Sequence, residues 1–191
     1  MYDQLIRKIT SYTPLSEAVL PQIDALFERK VLLKNDFFLR EGQICRELGF
    51  ISKGLVCYYV NSGGNDVVHN FARENDFICN YDSFINRSAS QKNILALEHT
   101  ELLVISFDNL QRFYKIIPGG ERFGRLLMEE VYVQAIKHII SFYTDSPEQR
   151  YSEFVAQHNE LLQRIPQYHI AAYIGVKPPS LSRIRKRMLN S

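Results

Sequence analysis

The chain is 191 residues long and 46% hydrophobic, enough to bury one large core or a medium core beside a small one without staples. Its net charge of +2 is unevenly spread: residues 147–191 carry seven Lys/Arg against three acids, and from Lys177 onward there are five bases and no acid. A basic end on a mildly acidic body points to an anionic partner for that end, with a merely solvated helix face as the plain alternative. Cys45, Cys57 and Cys79 are odd in number and form no C-x-x-C pair, which argues against a disulfide framework and for reduced thiols in a cytoplasm. Asp3, Arg7 and Lys8 interrupt any signal-like apolar run, and no stretch approaches the ~20 apolar residues needed to cross a bilayer. A cytoplasmic location without a membrane partner is expected.

Residues 1–30 read as helical, with Thr13 as an N-cap, Pro14 at the first helical position, and Leu15, Val19, Ile23, Leu26 and Phe27 at helical spacing. From Val31 to about Phe107 the pattern becomes one of short strands: Val31–Leu33, Phe37–Leu39, Phe50–Ile51, Leu55–Val60, Val67–Phe71, Ile94–Leu97 and Leu102–Phe107. Turn residues separate them, and Asn61-Ser62-Gly63-Gly64-Asn65 is a strong hairpin signal. Many short strands at regular spacing predict a sandwich, barrel or jelly roll.

Helix returns at Asp108–Lys115 and, past Pro118-Gly119-Gly120, over Glu121–Tyr143. There Met128, Tyr132, Ala135, Ile139 and Phe142 step by 4, 3, 4 and 3, a heptad seam that favours a neighbouring helix. Leu126, Val133, Ile136, Ile140 and Tyr143 form a second stripe. A dimer helix and a helix buried on both sides within one chain both fit this pattern. Thr144-Asp145-Ser146-Pro147 then breaks the helix, with Asp145 or Ser146 able to cap the next one. The boundaries predicted are 1–120, 121–144 and 145–191.

The last segment carries the chemistry. A short helix over Gln167–Ile174, with Ile170, Ala171 and Ile174 inward, meets Gly175, which permits a sharp turn, and Val176. A second helix follows from about Pro178 to Leu189. At about 100° per residue, Leu181, Ile184 and Met188 face the core, while Pro179, Ser182, Arg183, Lys186 and Arg187 face outward. Short helix, glycine turn and basic helix make a helix-turn-helix. Arg183, central on the outer face, is the candidate base reader, because arginine bonds guanine O6 and N7 bidentately. Lys177, Ser180, Ser182, Lys186 and Arg187 suit phosphates.

These residues carry a resemblance. His169-Ile170-Ala171-Ala172-Tyr173-Ile174-Gly175-Val176 through Ser182-Arg183-Ile184-Arg185-Lys186 resembles the helix-turn-helix of Crp/Fnr transcription regulators, in a version similar to that common in Bacteroidetes. Arg40-Glu41-Gly42, Phe50-Ile51-Ser52-Lys53-Gly54-Leu55-Val56 and Asn75-Asp76-Phe77-Ile78 look like the β-roll of the same family. The resemblance implies an α+β protein: an N-terminal antiparallel jelly roll of the cyclic-nucleotide-binding type, a long dimerisation helix, and a C-terminal winged-helix-like helix-turn-helix. It implies a non-enzymatic homodimer on a palindromic duplex, with RNA polymerase as a further partner and Tyr168 near the DNA backbone. One departure is Pro179, which stands where the family often has a base-contacting Glu.

The family's nucleotide site needs a Gly-Glu pair and a downstream Arg. Here the pair reads Cys79-Asn80, the arginine position falls near Ser90-Gln91, and Lys92 is a weak substitute. Arg87 follows Cys79 too closely to serve. A buried cyclic phosphate without its guanidinium is costly, so cAMP binding is not expected and no effector is implied. Three cysteines are too few for a four-thiolate cluster, and their strand positions suit small buried hydrophobes. His69 or His99 could ligate haem but more simply read as ordinary strand residues. A cupin-like metalloenzyme, the rival from another class, needs clustered His and Glu ligands, and no such set or other catalytic string occurs.

Overall fold

The computed structural model describes residues 1–189. Its chain divides into two compact units, residues 1–57 with 71–132 and residues 58–70 with 133–191.

The first unit opens with α1 (Tyr2–Thr10), whose Leu5 and Ile9 are fully buried. A 3-10 turn (Glu17–Val19) and the short α2 (Leu20–Asp24) follow. The expected helix start at Thr13-Pro14 is not there. Pro14 disfavours helical backbone at the residue before it, and Thr13 is buried against Gly119 instead of capping a helix.

Eight strands come next: β1 (Glu28–Leu32), β2 (Phe37–Leu39), β3 (Glu47–Lys53), β4 (Val56–Ser62), β5 (Asn65–Ala72), β6 (Phe77–Ile78), β7 (Asn93–Ala96) and β8 (Thr100–Ser106). They form two four-stranded sheets ordered β1-β8-β3-β6 and β2-β7-β4-β5, a jelly roll. Phe50, Ile51, Leu55, Ile78, Ile94 and Leu102 are buried between them. The β1 strand begins earlier than its apolar letters, at Glu28, because an edge strand tolerates charge. Gly63 and Gly64, both at positive φ, make the β4–β5 turn. Gly54 has φ +113, and a Cβ there would fall 2.4 Å from Thr100 Oγ1, so the β3–β4 turn requires glycine.

Between β6 and β7 lies α3 (Tyr81–Asn86), too short to show a helical period in sequence. After β8 comes α4 (Phe107–Ile116), capped by Ser106, whose side chain accepts from Asn109 N–H. Phe107, expected at the end of a strand, is the first residue of this helix.

The 25-residue α5 (Gly120–Thr144) begins buried, with Phe123 against the rings of Tyr12, Phe77 and Phe113 at 5.6, 5.7 and 5.8 Å. In the second unit, α6 (Pro147–His158) starts with a full capping box: Ser146 Oγ accepts from Gln149 N–H, and Gln149 Oε1 accepts from Ser146 N–H. A 3-10 turn (Asn159–Leu161), α7 (Gln167–Tyr173) and α8 (Pro178–Leu189) complete it. The last strand among the described residues is β8, so the strand pair that a winged helix would add does not accompany α6–α8.

Candidate nucleic-acid interface

The turn between α7 and α8 is built from backbone. Gly175 N–H donates to Ala172 O at 3.2 Å and Val176 N–H to Ala171 O at 2.9 Å, the paired bonds of a Schellman motif. Gly175 has φ +75, and a Cβ there would lie 2.8 Å from Phe142 Cε1, so the turn needs glycine for both conformation and space. Ile170, Ala171 and Ile174 are completely buried, and Leu181 and Ile184 nearly so. That packing sets the rotation of α8.

Pro179, Ser182, Arg183, Lys186 and Arg187 consequently face solvent, as do Lys177 and Arg185; Ser180 is half-buried and Tyr168 exposed. Met188, expected in the core, is 41% exposed, its sulfur meeting the polar Ser152 of α6 at 4.0 Å. Arg183 folds back along α8, its Nη2 donating to Ser180 Oγ at 3.3 Å and its Nε to Pro179 O at 3.4 Å. These long, exposed bonds are cheap to exchange for a base edge. Arg187 pairs with Glu148 at 2.7 Å, and Arg185 donates to Gln167. An open groove of about 650 Å³ runs between α8 and the start of α6, walled by Ser180, Arg183, Lys186, Arg187 and Glu148.

Arg150, only one of seven cationic residues in sequence terms, is a structural clamp. Its Nε donates to Ile174 O at 2.9 Å, and its Nη1 to Asp145 O at 2.6 Å and Ser141 O at 3.4 Å. The guanidinium also lies 4.8 Å from the Phe142 ring centroid. It thus ties the end of α5, the start of α6 and the α7–α8 turn together, and its charge is spent inside the unit.

Along α5, the seam residues Tyr132, Ala135, Ile139 and Phe142 are exposed and Met128 half-buried. The second stripe is also open at Val133, Ile136, Ile140 and Tyr143, the last at 86%. A helix buried on both sides within one chain is therefore not what forms. Phe142 has a second task, since one side of its ring meets Arg150 and the position of Gly175.

The expected effector-pocket residues bond to one another. Asn80 occupies the N-cap position of α3, and its Nδ2 donates to Ser90 Oγ at 2.7 Å. Ser90 Oγ donates to Lys92 O at 2.7 Å. Asn80 Oδ1 is buried without a hydrogen-bond partner. Arg87 takes the left-handed conformation that ends α3, lies over the Phe107 ring at 5.1 Å and pairs with Asp108 at 3.5 Å. It is therefore engaged outside the Asn80–Ser90 cluster. Cys79 is half-buried beside Cys45, a proximity that no sequence spacing announces. Among the described residues no group of three or more His, Cys, Asp or Glu is placed to hold a metal. His69 lies against Tyr58, and His99 is exposed.

In α7, His169 is 3% exposed, and neither ring nitrogen has a hydrogen-bond partner. Burial lowers its pKa from the ordinary value, with Asp66 opposing; burial and then Arg150 lower that of His138. The folded state thus binds fewer protons than the unfolded chain below about pH 6.5, so the contribution is complete above that value and is lost as pH falls toward the folded pKa. His169→Leu should flatten the fall in melting temperature between about pH 7.5 and about pH 5.5, leaving the share due to His138. A thermal titration with the wild-type slope would contradict this.

The cyclic nucleotide-binding domain family matches residues 29–116, which is β1 through α4. Solved structures extend the likeness past that domain into the C-terminal helices. FixK2 from Bradyrhizobium japonicum superposes with a TM-score of 0.75 at 14% identity, covering 86% of this chain and 85% of its own. The c-di-GMP-responsive global regulator CLP from Xanthomonas campestris gives 0.71 at 13%, covering 92% of each chain. A Crp/Fnr-family regulator from Eubacterium rectale gives 0.71 at 17%, covering 94% and 88%. The fold is that of Crp/Fnr-family proteins: a cyclic nucleotide-binding domain followed by a helix-turn-helix. No curated protein sequence matches the chain. The Asn80–Ser90 cluster lies within the residues that this family model matches, whereas α5–α8 lie beyond them. Among the described residues no helix is long and apolar enough to cross a membrane.

Proposed function

We propose that this chain is a sequence-specific DNA-binding transcription regulator that acts as a homodimer and does not bind cAMP. Residues 1–120 are the sensor, 121–144 the dimer helix and 145–191 the DNA reader. The observation that carries this reading is α8: Leu181 and Ile184 are buried, and Ser182, Arg183, Lys186 and Arg187 face out across a glycine turn from α7. Arg183 reads a guanine edge, Lys177, Lys186, Ser180 and Arg187 hold phosphates, and Tyr168 lies beside the backbone. Two chains joined along α5 place two recognition helices in successive major grooves of a palindromic operator, about 34 Å apart. RNA polymerase is the further partner. Absence of cAMP binding is supported by the Asn80–Ser90 side-chain hydrogen bond and by Arg87 lying over Phe107 beside Asp108.

The test is the salt dependence of duplex binding. Lys186→Ala should weaken binding to every sequence and reduce the slope of log affinity against log salt by about one for each phosphate left without its ammonium. Fluorescence anisotropy titrations with an unchanged slope would refute the phosphate role of α8.

A further inference from the structure

We infer that Cys45 and Cys79 form a reversible redox site, closed to an intrachain disulfide by hydrogen peroxide. Cys45 lies just before β3, and Cys79 directly follows β6. These strands pair antiparallel, with Gly49 opposite Ile78 and Phe50 opposite Phe77. That register brings together two residues separated by 34 in sequence, with their sulfurs 3.7 Å apart. This is van der Waals contact, and a disulfide requires the sulfurs to close to about 2.05 Å.

The surroundings favour reaction at Cys45. Its backbone N–H donates to Ser83 Oγ at 2.9 Å, and Ser83 Oγ donates to Ser88 O at 2.5 Å, so the segment that carries Cys45 is pinned beneath α3. With Cys79 as donor of the shared sulfur contact, the Cys45 pKa falls to about 7, helped by the Asn80 N–H and opposed by burial; the Cys45 S–H also has the Glu47 carbonyl within 3.3 Å. Donating that proton raises the Cys79 pKa. One thiolate beside one thiol is the arrangement of an attacking and a resolving cysteine. Cys79 is half-buried and Cys45 is 3% exposed, so peroxide would reach the pair from the Cys79 side.

The Cys45 thiolate attacks one oxygen of hydrogen peroxide, the O–O bond breaks, and hydroxide leaves to become water. The product is a Cys45 sulfenic acid. The Cys79 sulfur then attacks the Cys45 sulfur as its own proton departs; the S–O bond breaks and a second water forms. Two thiols and one peroxide give one disulfide and two waters. The sulfurs lose two electrons and the peroxide gains them. The cross-link joins the entry of β3 to the exit of β6, where α3 begins.

Full-length reduced protein treated with stoichiometric hydrogen peroxide, then alkylated in denaturant, tests this by mass spectrometry. Alkylated cysteines should fall from three to one per chain, with a Cys45–Cys79 linked peptide that dithiothreitol removes. Cys79→Ser should stop at a sulfenic acid on Cys45 that dimedone traps. Three alkylated cysteines after treatment, linkage through Cys57, or linkage only between chains would overturn the assignment, and the wild-type arm decides without any variant having to fold.

Discussion

Ile139→Asp should convert the proposed homodimer to monomers and lower affinity for a duplex carrying two half-sites by about two to four orders of magnitude. Ile139 is 51% exposed on a helix that also leaves Val131, Tyr132, Val133, Ile136, Ile140 and Tyr143 open. A single helix with this much uncovered apolar surface is what an interface looks like before its partner is added. Asp at 139 places a carboxylate in an apolar seam, and desolvating it costs more than the apolar packing returns. The isolated chain is barely affected, because exposed substitutions change stability by about 0.5 kcal/mol or less. Weaker DNA binding then follows from losing the link between two readers, each of which keeps its own grip on its half-site. Sedimentation velocity gives the answer: a monomer with wild-type circular dichroism is expected, and a persistent dimer would contradict the assignment of α5.

Arg150→Ala should lower the stability of the helical unit by about 2–4 kcal/mol, since each hydrogen bond from a charged donor contributes about 1.5–3 kcal/mol. The guanidinium serves carbonyls of Ile174, Asp145 and Ser141, and alanine leaves those acceptors to find other donors. Arg150→Lys should not restore stability, because one ammonium cannot reproduce a planar fork that reaches three segments and stacks on Phe142. DNA affinity should fall as well, since Arg150 fixes the carbonyl of Ile174 immediately before the Gly175 turn. Urea denaturation of the three proteins measures this, and a wild-type midpoint for Arg150→Ala would show that the clamp does not stabilise the unit.

What could be read from sequence followed from how local the signal was. The limits of α8, the Ser146-Pro147 start of α6 and the Asn61–Asn65 turn are all set by caps, prolines and glycines within a few residues, and the structure places them accordingly. The N-terminus misled because Val19, Ile23, Leu26 and Phe27 keep helical spacing across a 3-10 turn, a one-turn helix and a loop. β1 hid behind Glu28, Arg29 and Lys30, whose charges an edge strand can carry. The outward face of α8 was legible from its period, except at Met188, which is 41% exposed beside the polar Ser152. The role of Arg150 was not legible, because a side chain that reaches carbonyls nine and twenty-four residues away leaves no mark on local composition. Nor was the Cys45–Cys79 proximity, which exists only through the β3–β6 register.

Selection of binding sites from a random duplex library, run with the wild type and with Arg183→Ala, measures base reading by α8 directly. The wild type should enrich an inverted repeat whose half-site centres lie about 10 base pairs apart, or a multiple of that. Arg183→Ala should keep the repeat and lose preference at one position in each half-site, a change of about 1–3 kcal/mol in discrimination. No enriched sequence from the wild type, or an identical motif from both proteins, would contradict it.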